Sequence, residues 1–297
     1  MRLAAVDVGS NTVHVLVADA KGSVLTDVAH YVEMPELGPA VAKRGVIGGH
    51  SKVAIDALKR VIERARSHGF EHLVAGATAA VRNASDGKEF AVAAGAAIGA
   101  PLHILSERRE AELTFGGAAS RHAGRREWLL ADLGGGSTEL VIGREIEMVR
   151  WATLAIGSGV LAARFLADPP TPDQRAKLRQ AALRLLRGAP DGEVERVVAT
   201  GGTASNLPLV LARQNPPAVL TTADLLRCEE RLDGRAAAEL QDKLGLPVAR
   251  IKALRAGVEV LLLLLDWYGQ STLQVSHEGL RHGMLLGYLD RGDKWWR

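Results

Sequence analysis

The chain has 297 residues, with 37 Lys and Arg against 34 Asp and Glu, and a formal charge of +3. Its 47% apolar and 24% charged residues are those of a globular protein of about two domains, not of a disordered, collagenous or strongly nucleic-acid-binding chain. One cysteine, Cys228, excludes an internal disulfide and a cysteine-rich zinc site, and the longest purely apolar run, Val260 to Leu265, is far short of a bilayer span.

No signal-peptide pattern precedes Asp7, and aromatics are only 4%, so the expectation is a cytoplasmic protein with no membrane or nucleic-acid partner. Residues 2–8 read as a buried strand, 13–17 as a second, and Lys21-Gly22 as the turn of a hairpin toward 24–30. Ser51 is placed to cap a helix with the apolar stripe Val53, Ala57, Leu58, Val61, Ile62 and Ala65. Strands follow at 72–77 and 102–105, with a helix at 88–98 between them. Ser106 opens a further helix to about residue 119. A meander is expected at 128–133, 140–142 and 147–154, then a proline-rich loop at 169–172. The remainder reads as helix 173–186, strand 194–199, helices 203–211, 222–231, 235–244 and 250–265, strand 273–275 and a last helix over 279–289. Alternation of strands and helices predicts an α/β protein.

Asp7-Val-Gly-Ser-Asn-Thr-Val-His-Val-Leu-Val lies over Asp132-Leu-Gly-Gly-Gly-Ser-Thr-Glu-Leu-Val-Ile without a gap. Each copy is an apolar strand, an acidic residue, a glycine-rich turn and a second apolar strand. The repeat predicts two similar domains related by a pseudo-twofold and facing each other across a cleft. The boundary is expected near residue 122, giving domains 1–122 and 123–297, with the last helix free to pack back on the first.

A turn of this kind aims backbone N–H groups at an anion, and its glycines let the chain approach closely or take positive φ. Gly9-Ser10-Asn11-Thr12 is one such loop and Gly134-Gly135-Gly136-Ser137-Thr138 a second. Gly201-Gly202-Thr203 is a third, between a strand and a helix whose N-terminal amides add to the field. Each alone is an ordinary structural turn. Three, two of them in register with the repeat, point to phosphate binding.

This arrangement resembles the actin-like superfamily of sugar kinases, actin and heat-shock chaperones, with duplicated ribonuclease-H-like domains around a central cleft. Within it, Asp7-Val-Gly-Ser-Asn-Thr-Val, Ala77-Thr-Ala-Ala-Val-Arg82-Asn, Ser106 through Glu110-Ala-Glu-Leu, Asp132 through Glu139, Gly201-Gly-Thr and Val275-Ser-His-Glu-Gly279-Leu-Arg281 resemble the exopolyphosphatase/guanosine pentaphosphate phosphohydrolase family. The correspondence runs from Asp7 to about Leu289. It implies phosphoanhydride hydrolysis with Mg²⁺, or Mn²⁺, as cofactor. Glu110 matches the family's catalytic base and would orient a water. Arg82 matches a phosphate-contacting arginine. Asp132 and Glu139 match metal-associated carboxylates, with Asp7 orienting water on the metal. Removal of Glu110 is expected to abolish most turnover while changing stability by only about 1 kcal/mol, as for an exposed helical site; read without the resemblance, Glu110 is a solvated helix residue and Asp132 a turn cap.

The chain departs from the family pattern at several points. Arg109 stands beside the base, where it would lower the base's pKa, help to hold an anionic substrate or disturb the metal. Asp86 adds a negative charge near a phosphate site, and the segment at Tyr31 to Gly38 lacks an arginine usual there. The loop Ile156-Gly-Ser-Gly keeps the family's glycine without the arginine that commonly follows. The nine histidines show no metal-binding spacing. The terminal Lys294-Trp295-Trp296-Arg297 is expected to pack on the domain, a homodimer contact being the alternative.

The expected activity is removal of the terminal phosphate of inorganic polyphosphate by direct attack of water. Short chains are favoured because 297 residues leave no room for the extra C-terminal domains of larger members. The alternatives are pppGpp 5′-phosphohydrolase activity, a kinase-like or chaperone-like ATPase, and a non-hydrolysing polyphosphate or alarmone sensor.

Overall fold

A computed structural model describes residues 1–212 and 214–297. The chain divides into two compact units, Met1–Arg121 with Glu278–Arg297, and His122–His277. The final segment therefore returns to the first unit.

The first unit opens with β1 (Arg2–Val8), β2 (Val13–Lys21) and β3 (Val24–Glu33), an antiparallel meander. There follow α1 (Leu37–Arg44), α2 (His50–Arg66), β4 (His72–Ala77), α3 (Ala79–Asn83), α4 (Gly87–Ile98), β5 (Leu102–Ile104) and α5 (Glu107–His122). The sheet order is β3-β2-β1-β4-β5, with β4 parallel to β1 and β5 parallel to β4. Residues 3–6 are buried on both faces, which is why they form one unbroken apolar run. Ala4, Val6 and Val8 pack with Leu58, Val61 and Phe90 on one face. Leu3 and Ala5 pack with Leu113, Met284 and Trp295 on the other. Strand alternation puts Asp7 on the same face as Leu3 and Ala5.

The second unit contains β6 (Trp128–Leu133), β7 (Thr138–Arg144), β8 (Glu147–Leu154), α6 (Ser158–Phe165), α7 (Pro172–Leu186), β9 (Val197–Thr200), α8 (Gly201–Leu211), β10 (Val219–Thr221), α9 (Thr222–Asp233), α10 (Ala237–Leu244), α11 (Val248–Trp267) and β11 (Thr272–Val275). Its sheet order is β10-β11-β9-β6-β7-β8. Again an antiparallel meander continues into parallel strands, here β9 beside β6 and β11 beside β9. The order β3-β2-β1-β4-β5 of the first sheet recurs as β8-β7-β6-β9-β11 in the second, where β10 adds an antiparallel edge strand, so the fold is duplicated. α12 (Leu280–Arg291) then packs on β1, in the first unit. Among the described residues no helix is long and apolar enough to cross a membrane.

Four elements carry no clear pattern in the sequence: α1, α3, α6 and β10. α1 contains Gly38 and Pro39 within its first turn, where proline is tolerated because its missing N–H has no helical partner. The cap expected from Ser51 is absent, because α2 starts two residues earlier, at His50, with Gly49 as its N-cap and no side-chain hydrogen bond. Val53 is 52% exposed, and Ala54 takes its place in the buried stripe.

Candidate active site

In the first unit the loop 9–12 closes through Gly9 N–H donating to Thr12 O at 2.9 Å. In the second, Gly134 N–H donates to Ser137 O at 3.0 Å. The two copies of the repeat thus fold into the same turn. α1 braces the first loop: Gly38 N–H donates to Ser10 O at 2.6 Å, and a Cβ on Gly38 would lie 2.9 Å from that of Ser10. Ser10 is itself buried.

Asp7, the last residue but one of β1, stands opposite His14. Its Oδ1 is buried and has no hydrogen-bond partner. Burial pushes the carboxyl up to about 6, while the Arg281 guanidinium pulls the other way. Arg82, in the last turn of α3, donates from Nη1 to Glu110 Oε2 at 2.7 Å and to Leu105 O at 2.9 Å. Its Nε and Nη2 are buried and make no hydrogen bond. Glu110 is 5% exposed, so the solvated-residue reading does not hold. It occupies the first turn of α5, where the helix dipole favours a carboxylate.

In the second unit Asp132 stands opposite Glu139 across the β6–β7 ladder. Directly opposed residues of an antiparallel pair share one face of the sheet. Ser137 Oγ donates to Glu139 Oε1 at 2.8 Å, and Glu139 is 3% exposed. Thr138 is anchored through its Oγ1 to Ile156 O. The glycine loop is held from behind by the segment at 156–160. Gly159 and Val160 N–H both donate to Gly135 O, and Ser158 N–H donates to Gly134 O. A Cβ on Gly157 would lie 2.3 Å from Gly135 O, so that glycine is required by close approach. The segment thus shapes the loop from outside it.

The third loop meets the second. Asp132 pairs in register with Thr200, and Gly201 follows at φ +86° with its Cβ position 2.5 Å from Asp132 Oδ1. Only glycine fits there on both counts. Gly202 and Thr203 form the first turn of α8, with Thr203 Oγ1 buried and without a hydrogen-bond partner. Sequence reasoning missed Arg250. Its Nη1 lies 2.2 Å from where a Cβ on Gly202 would stand. Among the described residues Arg250 has no hydrogen bond or ion pair, and burial holds its guanidinium below its ordinary pKa. The signal was its place just inside α11, far along the chain from any glycine loop, which sequence spacing alone cannot connect to residue 202.

Two of the departures take on other roles. Asp86 accepts from the backbone N–H groups of Ile47 and Gly48, both at 2.8 Å. These bonds hold its carboxyl below the usual range, and it staples the turn before α2. Arg109 is turned to the main-chain oxygen of Trp295, which spends its guanidinium inside the first unit.

The arrangement offers two things chemically: a buried carboxylate–arginine pair with unused N–H donors, and a carboxylate pair flanked by backbone-amide turns. The second is of the donor type that a divalent cation takes. Among the described residues no group of three or more His, Cys, Asp or Glu side chains is placed to hold a metal. Mg²⁺ commonly takes only one or two protein carboxylates beside water and phosphate oxygens.

The Ppx/GppA phosphatase family model matches residues 16–292. An uncharacterised protein of Streptomyces coelicolor is 32% identical over the whole chain and 93% of its own length. A guanosine-5′-triphosphate,3′-diphosphate pyrophosphatase of Aliivibrio fischeri is 25% identical over 97% of the chain, which spans 59% of that protein. Among solved structures, a Ppx/GppA family member from Aquifex aeolicus superposes with a TM-score of 0.82 (24% identity, 99% of each chain). An exopolyphosphatase from Cytophaga hutchinsonii gives 0.88 (23% identity, 98% of each chain). With the duplicated fold, the paired loops and a family match across nearly its whole length, the chain belongs to the Ppx/GppA phosphatase family.

Proposed function

We propose that the chain hydrolyses the terminal phosphoanhydride of inorganic polyphosphate. The observation that carries this reading is the buried Arg82–Glu110 pair. Arg82 spends one nitrogen on the carboxylate and keeps Nε and Nη2 as buried donors without partners, a cost that an anionic substrate would offset. Glu110 orients a water whose oxygen bonds to the terminal phosphorus. The bond from that phosphorus to the bridging oxygen breaks, and its electron pair leaves with the shortened chain. The water's proton passes to the Glu110 carboxylate, and orthophosphate is released. The phosphoryl transition state is loose, so a carboxylate of ordinary basicity suffices.

The turns at 9–12, 134–138 and 201–203 offer N–H donors to phosphate oxygens. In the second unit Asp132 and Glu139 would hold Mg²⁺ or Mn²⁺; in the first, Asp7 would orient water through its Oδ1, which has no hydrogen-bond partner. The bound cation supplies neutralisation of phosphate charge. The second reading, pppGpp 5′-phosphohydrolase activity, is favoured by the name of the Aliivibrio fischeri relative, and the same residues would perform it. The test is release of orthophosphate from short polyphosphate and from pppGpp, with and without a chelator, in the wild type and Glu110→Gln. Faster turnover of polyphosphate, lost in the variant, is expected. Binding of both compounds without turnover of either would defeat the hydrolase reading.

A further inference from the structure

We infer that Arg109 is a positioning residue for Glu110, acting by tying the first turn of α5 to the main-chain carbonyl of Trp295; the inference rests on the reading of Glu110 as the residue that orients water. Both residues sit in the first turn of α5, where a helix is least held because its ends fray. Ser106 Oγ accepts from Arg109 N–H at 3.2 Å and Ser106 O from Glu110 N–H at 2.9 Å. That caps the turn but does not fix its rotation or its distance from the sheet.

Arg109 supplies what the cap cannot. Though charged, it is 7% exposed. Nε donates to Trp295 O at 2.9 Å, Nη2 donates to the same oxygen, and Nη1 reaches Glu112 Oε2 at 3.2 Å. The accepting carbonyl is itself held. Trp295 is 2% exposed in the core with Leu113 and Met284, its ring meets His103 edge-on at 5.8 Å, and Trp296 stacks on His103 at 4.4 Å. Gly287 leaves the passage open: a Cβ there would be 3.4 Å from Arg109 Nη2 and 3.7 Å from Trp295 Cβ.

Farther along, α5 and α12 meet backbone to backbone. A Cβ on Gly283 would lie 1.7 Å from Leu113 O, and one on Gly117 2.2 Å from Gly279 O. Successive helical residues point about 100° apart, so Arg109 anchors one flank of the turn while Arg82 holds Glu110 on another. A buried guanidinium answered chiefly by a neutral carbonyl is a poor stabiliser; what it provides is fixed geometry, and a displaced reacting group loses rate steeply.

The experiment measures kcat and KM for phosphate release from short polyphosphate in Arg109→Met, Arg109→Lys and Glu110→Gln. Arg108→Ala, an exposed neighbour paired with Glu112, is the control. Expected is a graded fall in kcat, about 3-fold in Arg109→Lys and about 10-fold or more in Arg109→Met, with KM unchanged. Wild-type kcat per folded enzyme in Arg109→Met, or a fall in apparent kcat that only tracks the folded fraction, overturns the inference. Should Arg109→Met fail to fold, Arg109→Lys decides: a lowered kcat at constant KM supports it, and wild-type kcat overturns it. If Glu110→Gln itself turns over normally, the reading of Glu110 is what fails. If Glu110→Gln is inactive and Arg109→Met fully active, the positioning role alone is lost.

Discussion

Arg82 and Glu110 form an ion pair of 2.7 Å with side chains only 15% and 7% exposed. They come from α3 and α5, two elements separated in sequence by α4 and β5. The pair makes each residue's removal a different experiment. Taking away the carboxylate strands a buried guanidinium, whereas taking away the arginine removes the carboxylate's 2.7 Å ion-pair partner.

Glu110→Ala is therefore expected to cost about 3–5 kcal/mol of stability, as for one partner of a buried pair. Read as an exposed helical position, it would have been nearly neutral. Glu110→Gln keeps the shape and an oxygen acceptor, and should lose at least about 100-fold in kcat with a much smaller stability change. Thermal unfolding and phosphate release on the same samples check both halves.

Arg250→Ala separates function from stability in the opposite direction. Its guanidinium lies over Gly202, half-buried and without an acceptor. Removing a desolvated, unanswered charge should leave the melting temperature equal or higher. Read as a phosphate ligand beside the third glycine loop, Arg250 would lose with its side chain a charge-assisted bond to substrate, raising KM roughly 10-fold or more. A lower melting temperature with unchanged KM would contradict the assignment.

Gly157→Ala tests the support behind the second glycine loop. The added methyl meets Gly135 O and Gly136 C at 2.3 Å, and backbone has nowhere to yield without moving the loop. A cost of about 1–3 kcal/mol is expected from overpacking. It should be accompanied by a rise in KM, because the amides of 134–136 are re-aimed. Substrate titrations against the melting curve resolve the two effects.

Asp27 gives a pH dependence. Burial opposes its ionisation, but hydrogen bonds from His282 and His30, at 3.0 and 2.9 Å, outweigh it and hold the carboxyl well below the ordinary range. A depressed acid contributes stability above its unfolded pKa of about 4, and that contribution fades as pH falls from there through the folded value. Asp27→Asn should thus be less stable than wild type near pH 6, with the gap closing as pH drops below about 4. Denaturant midpoints of the two proteins across that range are the measurement. A gap independent of pH would contradict the carboxylate's role.

Much of the fold was legible in order because the local signals agreed: apolar runs for β1 and β6, glycine turns after Asp7 and Asp132, and helical stripes in α2 and α11. The duplicated turn was readable because its hydrogen bonds are local, Gly9 to Thr12 and Gly134 to Ser137. What the linear chain could not reveal were contacts made by residues far apart. Asp86 was readable as a charge but not as the staple of residues 47–48, and Arg109 as a neighbour of the base but not as a tie to Trp295. Arg250 carries no motif and reaches Gly202 only because α11 and α8 pack together. Composition, periodicity and turn chemistry act over a few residues and so determine the elements and the repeat. Which charges are buried, and what answers them, depends on packing across sheets and helices, and only the tertiary structure decides that.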